Sequence, residues 1–225
     1  MTSTETDSDV RDDVVDSALK MWHAGLVVGT AGNVSGRQAD GTVCLTPSST
    51  PYDEITAAGL AVLDLDGNHV EGSGQPSTEK AMHLSCYNAF PEVGGVVHCH
   101  PAHGSMFAVA RKPIAACIEE VIVYVGGDVP VAGYATTGTH GLANEVVRHL
   151  GDRGAVLMAN HGLLCVGKSP SDALHTALVV EHTAKIVWGA EQLGGVVPLP
   201  DEIIESFTNI YGIIRGMWLP SKEQA

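Results

Sequence analysis

Gly95-Val96-Val97-His98-Cys99-His100-Pro101 reads as a buried strand with chemistry at its end. Successive side chains of a strand point to opposite faces, so His98 and His100 share one face and Cys99 lies on the other. Two imidazoles aimed at one point make a chelating pair. With 11 histidines in 225 residues, the residues alone leave two readings open: metal ligands, or core imidazoles with ordinary hydrogen-bond partners.

Outward from this strand the chain alternates short apolar runs with helical stripes. On the N-terminal side, Val14, Val15, Leu19, Met21 and Trp22 predict a helix that stops at Gly25, preceded by a polar, acidic tail over residues 1–9. Asn33-Val34-Ser35, Thr42 to Thr46 and Leu60 to Leu65 read as strands, and Asp66-Gly67-Asn68 turns the last of these into His69-Val70-Glu71. Pro76-Ser77-Thr78 opens a helix to about Ala89 with Glu79 in its first turn. On the C-terminal side we expect a helix over 102–111, a strand over Val121–Val125 and a helix over 140–150. Two strands follow, Ala155–Met158 and Gly162–Val166, then a long helix opened by Ser169-Pro170 and a last amphipathic one over 201–217. Strand pairs and helices are interspersed without a regular βαβ beat, which predicts a mainly antiparallel sheet covered by helices. Residues 10–225 are expected to form one domain.

Charge and composition narrow the function. Asp and Glu number 26 against 12 Lys and Arg, a net charge of −14 that repels a nucleic-acid backbone and an anionic membrane surface. No stretch approaches the ~20 unbroken apolar residues of a membrane span. The first residues lack the basic and apolar segments of a secretory signal, so a cytoplasmic protein is expected. Five cysteines without a C-x-x-C pair argue against a disulfide framework and a zinc finger.

Other residues join the histidine pair. His161, in Ala159-Asn160-His161-Gly162, sits where a turn between two strands would lift its ring toward the same point. Three histidines leave a tetrahedral Zn²⁺ one open position. Glu79 lies where helix N-terminal amides favour a carboxylate or an anionic ligand, although an acid there is often only a helix-dipole partner. Gly32-Asn33-Val34-Ser35, Thr46-Pro47-Ser48-Ser49-Thr50 and Gln75-Pro76-Ser77-Thr78 supply hydroxyls and amides that suit a phosphate or ordinary turns equally well.

Gly32-Asn33-Val34-Ser35, Thr46-Pro47-Ser48, Pro76-Ser77-Thr78-Glu79, His98-Cys99-His100 and Asn160-His161-Gly162, taken in that order and spacing, resemble the class II aldolases of the fuculose-1-phosphate aldolase type in the aldolase/adducin superfamily. The resemblance spans roughly residues 10 to 217. It implies a three-layer α/β fold, a central antiparallel sheet flanked by helices, and four subunits around a fourfold axis with active sites at their interfaces. It implies Zn²⁺ held by His98, His100 and His161, with Glu79 beside the ion as acid/base and further ligand. Mn²⁺, Co²⁺ and Fe²⁺ remain open. Gly32, Asn33, Ser48, Ser49, Ser77 and Thr78 would hold a substrate phosphate. Tyr211 resembles the family's C-terminal tyrosine, which reaches a neighbouring subunit's site and protonates the aldehyde oxygen.

The implied reaction cleaves a ketose 1-phosphate to dihydroxyacetone phosphate and an aldehyde. Breaking a carbon–carbon bond beside a carbonyl generates an enediolate, whose charge a divalent ion stabilises as a Lewis acid. Two positions depart from the pattern: Ser49 stands where the phosphate loop usually has Gly, and Glu119 aligns with a second catalytic tyrosine in the aldehyde pocket. The alternatives are a sugar-phosphate epimerase, dehydratase or decarboxylase of the same superfamily, and an adducin-like scaffold. Epimerases of the superfamily usually carry Asp where Glu79 stands, and a scaffold would lack the metal ligands.

Three motifs are decoys. Gly162 to Ser169 matches the P-loop pattern letter by letter, yet Leu163-Leu164-Cys165-Val166 is a strand-like run and Pro170 follows at once. Asn33-Val34-Ser35 matches a glycosylation pattern that is irrelevant without a secretory signal. His175, Glu181 and His182 share one helix, where packing or solvent contact is expected.

Overall fold

The computed structural model describes residues 3–218, with side chains from Val10 onward. Among the described residues eight strands form one sheet: β1 (Asn33–Arg37), β2 (Val43–Leu45), β3 (Ala61–Leu63), β4 (His69–Glu71), β5 (Gly95–Cys99), β6 (Val131–Ala132), β7 (Ala155–Met158) and β8 (Gly162–Gly167). Their spatial order is β4-β3-β2-β1-β5-β8-β7-β6. Every neighbouring pair is antiparallel except β6 with β7, which is parallel.

Strand β5 lies near the middle of the sheet, flanked by β1 and β8 and buried along its whole length. The period-2 rule sorts its side chains. Val97 and Cys99 enter a core shared with α1 (Ser3–His23), α3 (Ala102–Ala110), α4 (Glu119–Val125) and α6 (Pro170–Gln192). Val96 enters the opposite core, with α2 (Lys80–Ala89) and α5 (His140–Leu150). Helices on both faces of one sheet give three layers, as expected. The last helix, α7 (Asp201–Gly216), packs on α4.

Local sequence explains most boundaries. Ser169 caps α6 by accepting from the Asp172 N–H (3.2 Å), with Pro170 at the first helical position. The P-loop look-alike is therefore strand β8 followed by a helix cap. All five cysteines are free, four of them buried. No helix among the described residues is long and apolar enough to cross a membrane.

Two expectations are corrected. Residues 121–125 form helix α4, not a strand: Val121, Ile122 and Val125 are the buried positions, spaced i, i+1, i+4 on one helical face. Glu119 and Glu120 complement the helix dipole at its start, and Gly126 closes the helix in the left-handed conformation. Packing overrides the β preference of all five residues in this run, four β-branched and one aromatic. The second correction concerns the N-terminus, where α1 begins at Ser3 and takes in most of the tail expected over 1–9. Residues 1 and 2 lie outside the described residues. The two-residue β6 was not foreseen, being too short to show a period.

Candidate metal centre and active site

The polar site forms where β1, β5 and β8 run out against the start of α2. Asn33 pairs with His98 across β1 and β5, and directly opposed residues of paired strands project to the same face. His100 follows one residue after β5. His161 comes from the tight turn joining β7 to β8, where Asn160 takes a left-handed φ of 57° and the His161 N–H bonds the Met158 carbonyl (3.0 Å). Asn tolerates that conformation better than most residues. Gly162 is demanded by proximity, since a Cβ there would lie 2.5 Å from both the Cys99 carbonyl oxygen and the His100 ring.

Ligating atoms of His98, His100 and His161 all lie within 4.8 Å of one another. His98 is fully buried, and its Nδ1 donates to the Leu163 carbonyl (2.9 Å), which turns Nε2 toward the cluster. Burial pushes the His98 pKa down to about 3, so the ring is neutral near pH 7 and its Nε2 carries a lone pair. His100 is shifted down as well, first by burial and then by His161. The Nε2 atoms of His98 and His100 stand 3.0 Å apart, a separation that needs a shared proton or a cation between neutral rings. Three inward-facing imidazole nitrogens, one fixed from behind by a carbonyl, fit a divalent transition metal and suit Zn²⁺.

Glu79 borders this cluster as the residue that caps α2. Its Oε1 lies 3.1 Å from His161 Nε2 and accepts from the Thr137 hydroxyl (2.8 Å); its Oε2 lies 3.3 Å from His98 Nε2 and accepts from Asn33 Nδ2 (2.9 Å). Burial works to raise the Glu79 pKa. The hydrogen bond from His161, the field of His98 and the bonds from Asn33 and Thr137 outweigh it and hold the carboxyl below the usual range.

In front of these residues a cleft of about 340 Å³ opens, lined by Gly32, Asn33, Ser48, Ser49, Ser77, Thr78, Glu79, His100 and His161 together with Thr30, Ala31, Pro47 and Thr137. The hydroxyl loops are stitched together by a bridge between Pro47 and Pro76 and by the Ser48 N–H bonding the Gln75 carbonyl (2.8 Å). Ser77 Oγ accepts from Asn33 Nδ2 (3.2 Å) and the Glu79 N–H (3.2 Å), which leaves its own proton free for a ligand. Ser49 holds a φ of 57°. That conformation is one glycine adopts freely, which gives the departure from Gly at this position a backbone meaning.

Some sequence candidates stand elsewhere. Tyr211 is buried on α7, its ring against Gly126 and its hydroxyl 3.1 Å from Arg215 Nη1. It lines a separate cleft between α4, α6 and α7, so the chain does not bring it to its own site. Glu119 is exposed at the start of α4 and does not line the histidine cleft. His175 packs edge-on against Tyr124, and Glu181 caps α3. The reading missed Thr137, whose Thr136-Thr137-Gly138-Thr139 loop is as hydroxyl-rich as those it identified, and His83, one helical turn beyond Glu79 on α2.

A three-layer α/β protein with a tri-imidazole centre and an adjoining carboxylate is the class that fold and site define. The chain belongs to the family described as class II aldolase and adducin N-terminal domain, which matches residues 12–188. It is 35% identical over 205 residues to an L-fuculose phosphate aldolase of Escherichia coli O6:H1, covering 89% of this chain and 94% of that one. An L-ribulose-5-phosphate 4-epimerase of Salmonella paratyphi A is 31% identical over 208 residues, with 87% and 91% covered. Among solved structures, an L-fuculose 1-phosphate aldolase superposes with a TM-score of 0.86 at 34% identity, covering 91% of this chain and 96% of that one.

Proposed function

We propose that this protein is a zinc-dependent class II aldolase that reversibly cleaves a ketose 1-phosphate, of the L-fuculose 1-phosphate kind, to dihydroxyacetone phosphate and an aldehyde. The observation that carries the reading is Glu79, a carboxylate set against two of three convergent imidazoles at the floor of an open, hydroxyl-lined cleft. His98, His100 and His161 would hold the ion, which supplies Lewis acidity toward the substrate oxygens. Glu79 moves the proton at the substrate carbon, the work of a carboxylate within hydrogen-bond reach of the cleft. Once the ring nitrogens are committed to an ion, Asn33 and Thr137 remain as its donors. The Gly32, Ser48, Ser49, Ser77 and Thr78 loops bind the phosphate through hydroxyls and amides; among the described residues no Lys or Arg lines the cleft.

The reading includes a cytoplasmic homotetramer with interfacial sites. Met106, Val109 and Trp188, exposed on neighbouring helices α3 and α6, are consistent with a covered surface. Tyr211 does not line the histidine cleft of its own chain, and its hydroxyl accepts from Arg215 Nη1, which leaves the phenol proton available to a neighbour's site. The relative named as a 4-epimerase supports a second reading, epimerisation of a sugar phosphate on the same residues. A screen of ketose 1-phosphates, fuculose and rhamnulose esters included, with coupled detection of dihydroxyacetone phosphate separates the two. Triose release is expected; an isomeric sugar phosphate without triose would favour the epimerase.

A further inference from the structure

Behind the cleft, five side chains form a continuous buried hydrogen-bond chain that the chemistry above leaves largely unused. Tyr87 Oη lies 2.8 Å from Ser35 Oγ, Ser35 Oγ 2.7 Å from His83 Nδ1, His83 Nε2 2.5 Å from Asn33 Oδ1, and Asn33 Nδ2 2.9 Å from Glu79 Oε2. His83 and Ser35 are fully buried, Tyr87 and Asn33 nearly so. The placement follows from two periodicities. Asn33 and Ser35 stand two apart on β1 and share a face, while Glu79 and His83 stand four apart where α2 begins.

The sense of every bond in this chain is fixed from one end. An ionised Glu79 only accepts, so the Asn33 amide must present its NH₂ to Glu79 and its oxygen to His83. That oxygen requires a donor, so His83 carries its proton on Nε2. Nδ1 then accepts from Ser35, and the Ser35 oxygen accepts from Tyr87. For a neutral His83 ring, any other arrangement leaves two donors or two acceptors facing each other in a buried place.

We propose that His83 is a positioning residue for Glu79: by donating from Nε2 to Asn33 it fixes which way round the Asn33 amide stands, and so keeps the amide NH₂ on the Glu79 carboxylate. Without that donor the amide is free to turn over, and its oxygen would then face the carboxylate. The proposal rests on the reading of Glu79 as the acid/base. It also gives Asn33 a task besides phosphate binding, since both ends of its amide are already engaged.

The test compares His83→Gln, which retains an N–H donor, with His83→Leu, which fills the space without one. The readouts are metal content, melting temperature and the steady-state constants for proton exchange at the α-carbon of dihydroxyacetone phosphate. The Leu variant is expected to lose about 10- to 100-fold in kcat, the range seen when outer partners of a site are removed, with KM and metal content close to wild type. The Gln variant should recover most of the loss. Equal losses in both variants, a loss confined to KM, or wild-type kcat in His83→Leu would overturn the proposal. Ring ¹⁵N shifts of His83 in the wild-type protein provide a readout independent of substrate. A neutral ring protonated on Nε2 is expected, and an Nδ1–H ring would overturn it. If the wild-type protein exchanges no proton, the aldolase reading falls and the ring tautomer alone decides the role of His83.

Discussion

Glu79 and Glu181 are both partly buried glutamates with a histidine within 3.1 Å, yet they do different work. Glu181 lies 2.7 Å from His103 Nδ1 and spends both oxygens on the backbone N–H groups of His103 and Gly104, capping the start of α3. Its bonds are local to one helix end and complete. Glu79 takes its bonds from side chains on three other segments, Asn33, Thr137 and His161, and among the described residues no backbone N–H donates to its carboxylate. It also faces a cleft. A short Glu–His distance therefore does not mark a site; the marks are donors gathered from distant parts of the chain and a space left open in front of them.

Substitution of the two carboxylates should separate them most sharply. Glu79→Gln is expected to keep the metal and lower α-proton exchange by about 10³-fold, within the usual range for removing an acid/base group. Undiminished exchange would remove Glu79 from that role. Glu181→Ala should leave kcat and KM unchanged and cost about 1–2 kcal/mol of stability, the worth of a helix cap, measured as a fall in the urea midpoint. A large loss of turnover in Glu181→Ala would break the comparison.

The buried rings behind Glu79 make a stability prediction. Burial lowers the pKa of His98 to about 3 and of His83 to about 4, against 6.5 for an exposed ring. The unfolded chain binds protons at both sites between those values and the folded chain does not, so stability must fall as pH drops below about 6.5. Two such groups amount to about 2 kcal/mol between pH 7 and 5.5 for chelator-treated protein. Urea titrations at the two pH values measure it, and His83→Gln should remove about half. A flat profile would mean that the rings protonate in place.

Thr137→Val is the mildest of these changes. It removes one neutral donor from Glu79 at nearly constant volume, and about 1 kcal/mol, or roughly fivefold in kcat, is expected. No change in kcat would make the Thr137 bond incidental.

The same contrast explains what could be read in the sequence. β5 and its histidines were legible because period 2 fixes their faces, and the loop motifs because hydroxyls, amides and glycines cluster at fixed points. α4 was not, because β-branched residues supply the same apolar run to strand and helix, and only the packing partner decides. Thr137 was invisible because it meets Glu79 across 58 residues through a turn that no local pattern specifies. His83 carried a signal in its spacing from Glu79, but its function depends on Asn33 and Ser35, which belong to a strand 50 residues away. The burial of Tyr211 against Gly126 follows from how α7 docks on α4, a contact without a sequence signature.

X-ray absorption at the zinc edge of the zinc-loaded protein tests the central claim most directly. A light-atom shell at about 2.0–2.1 Å with the outer-shell scattering of three imidazoles is expected. A sulfur shell near 2.3 Å, or spectra without imidazole scattering, would contradict it.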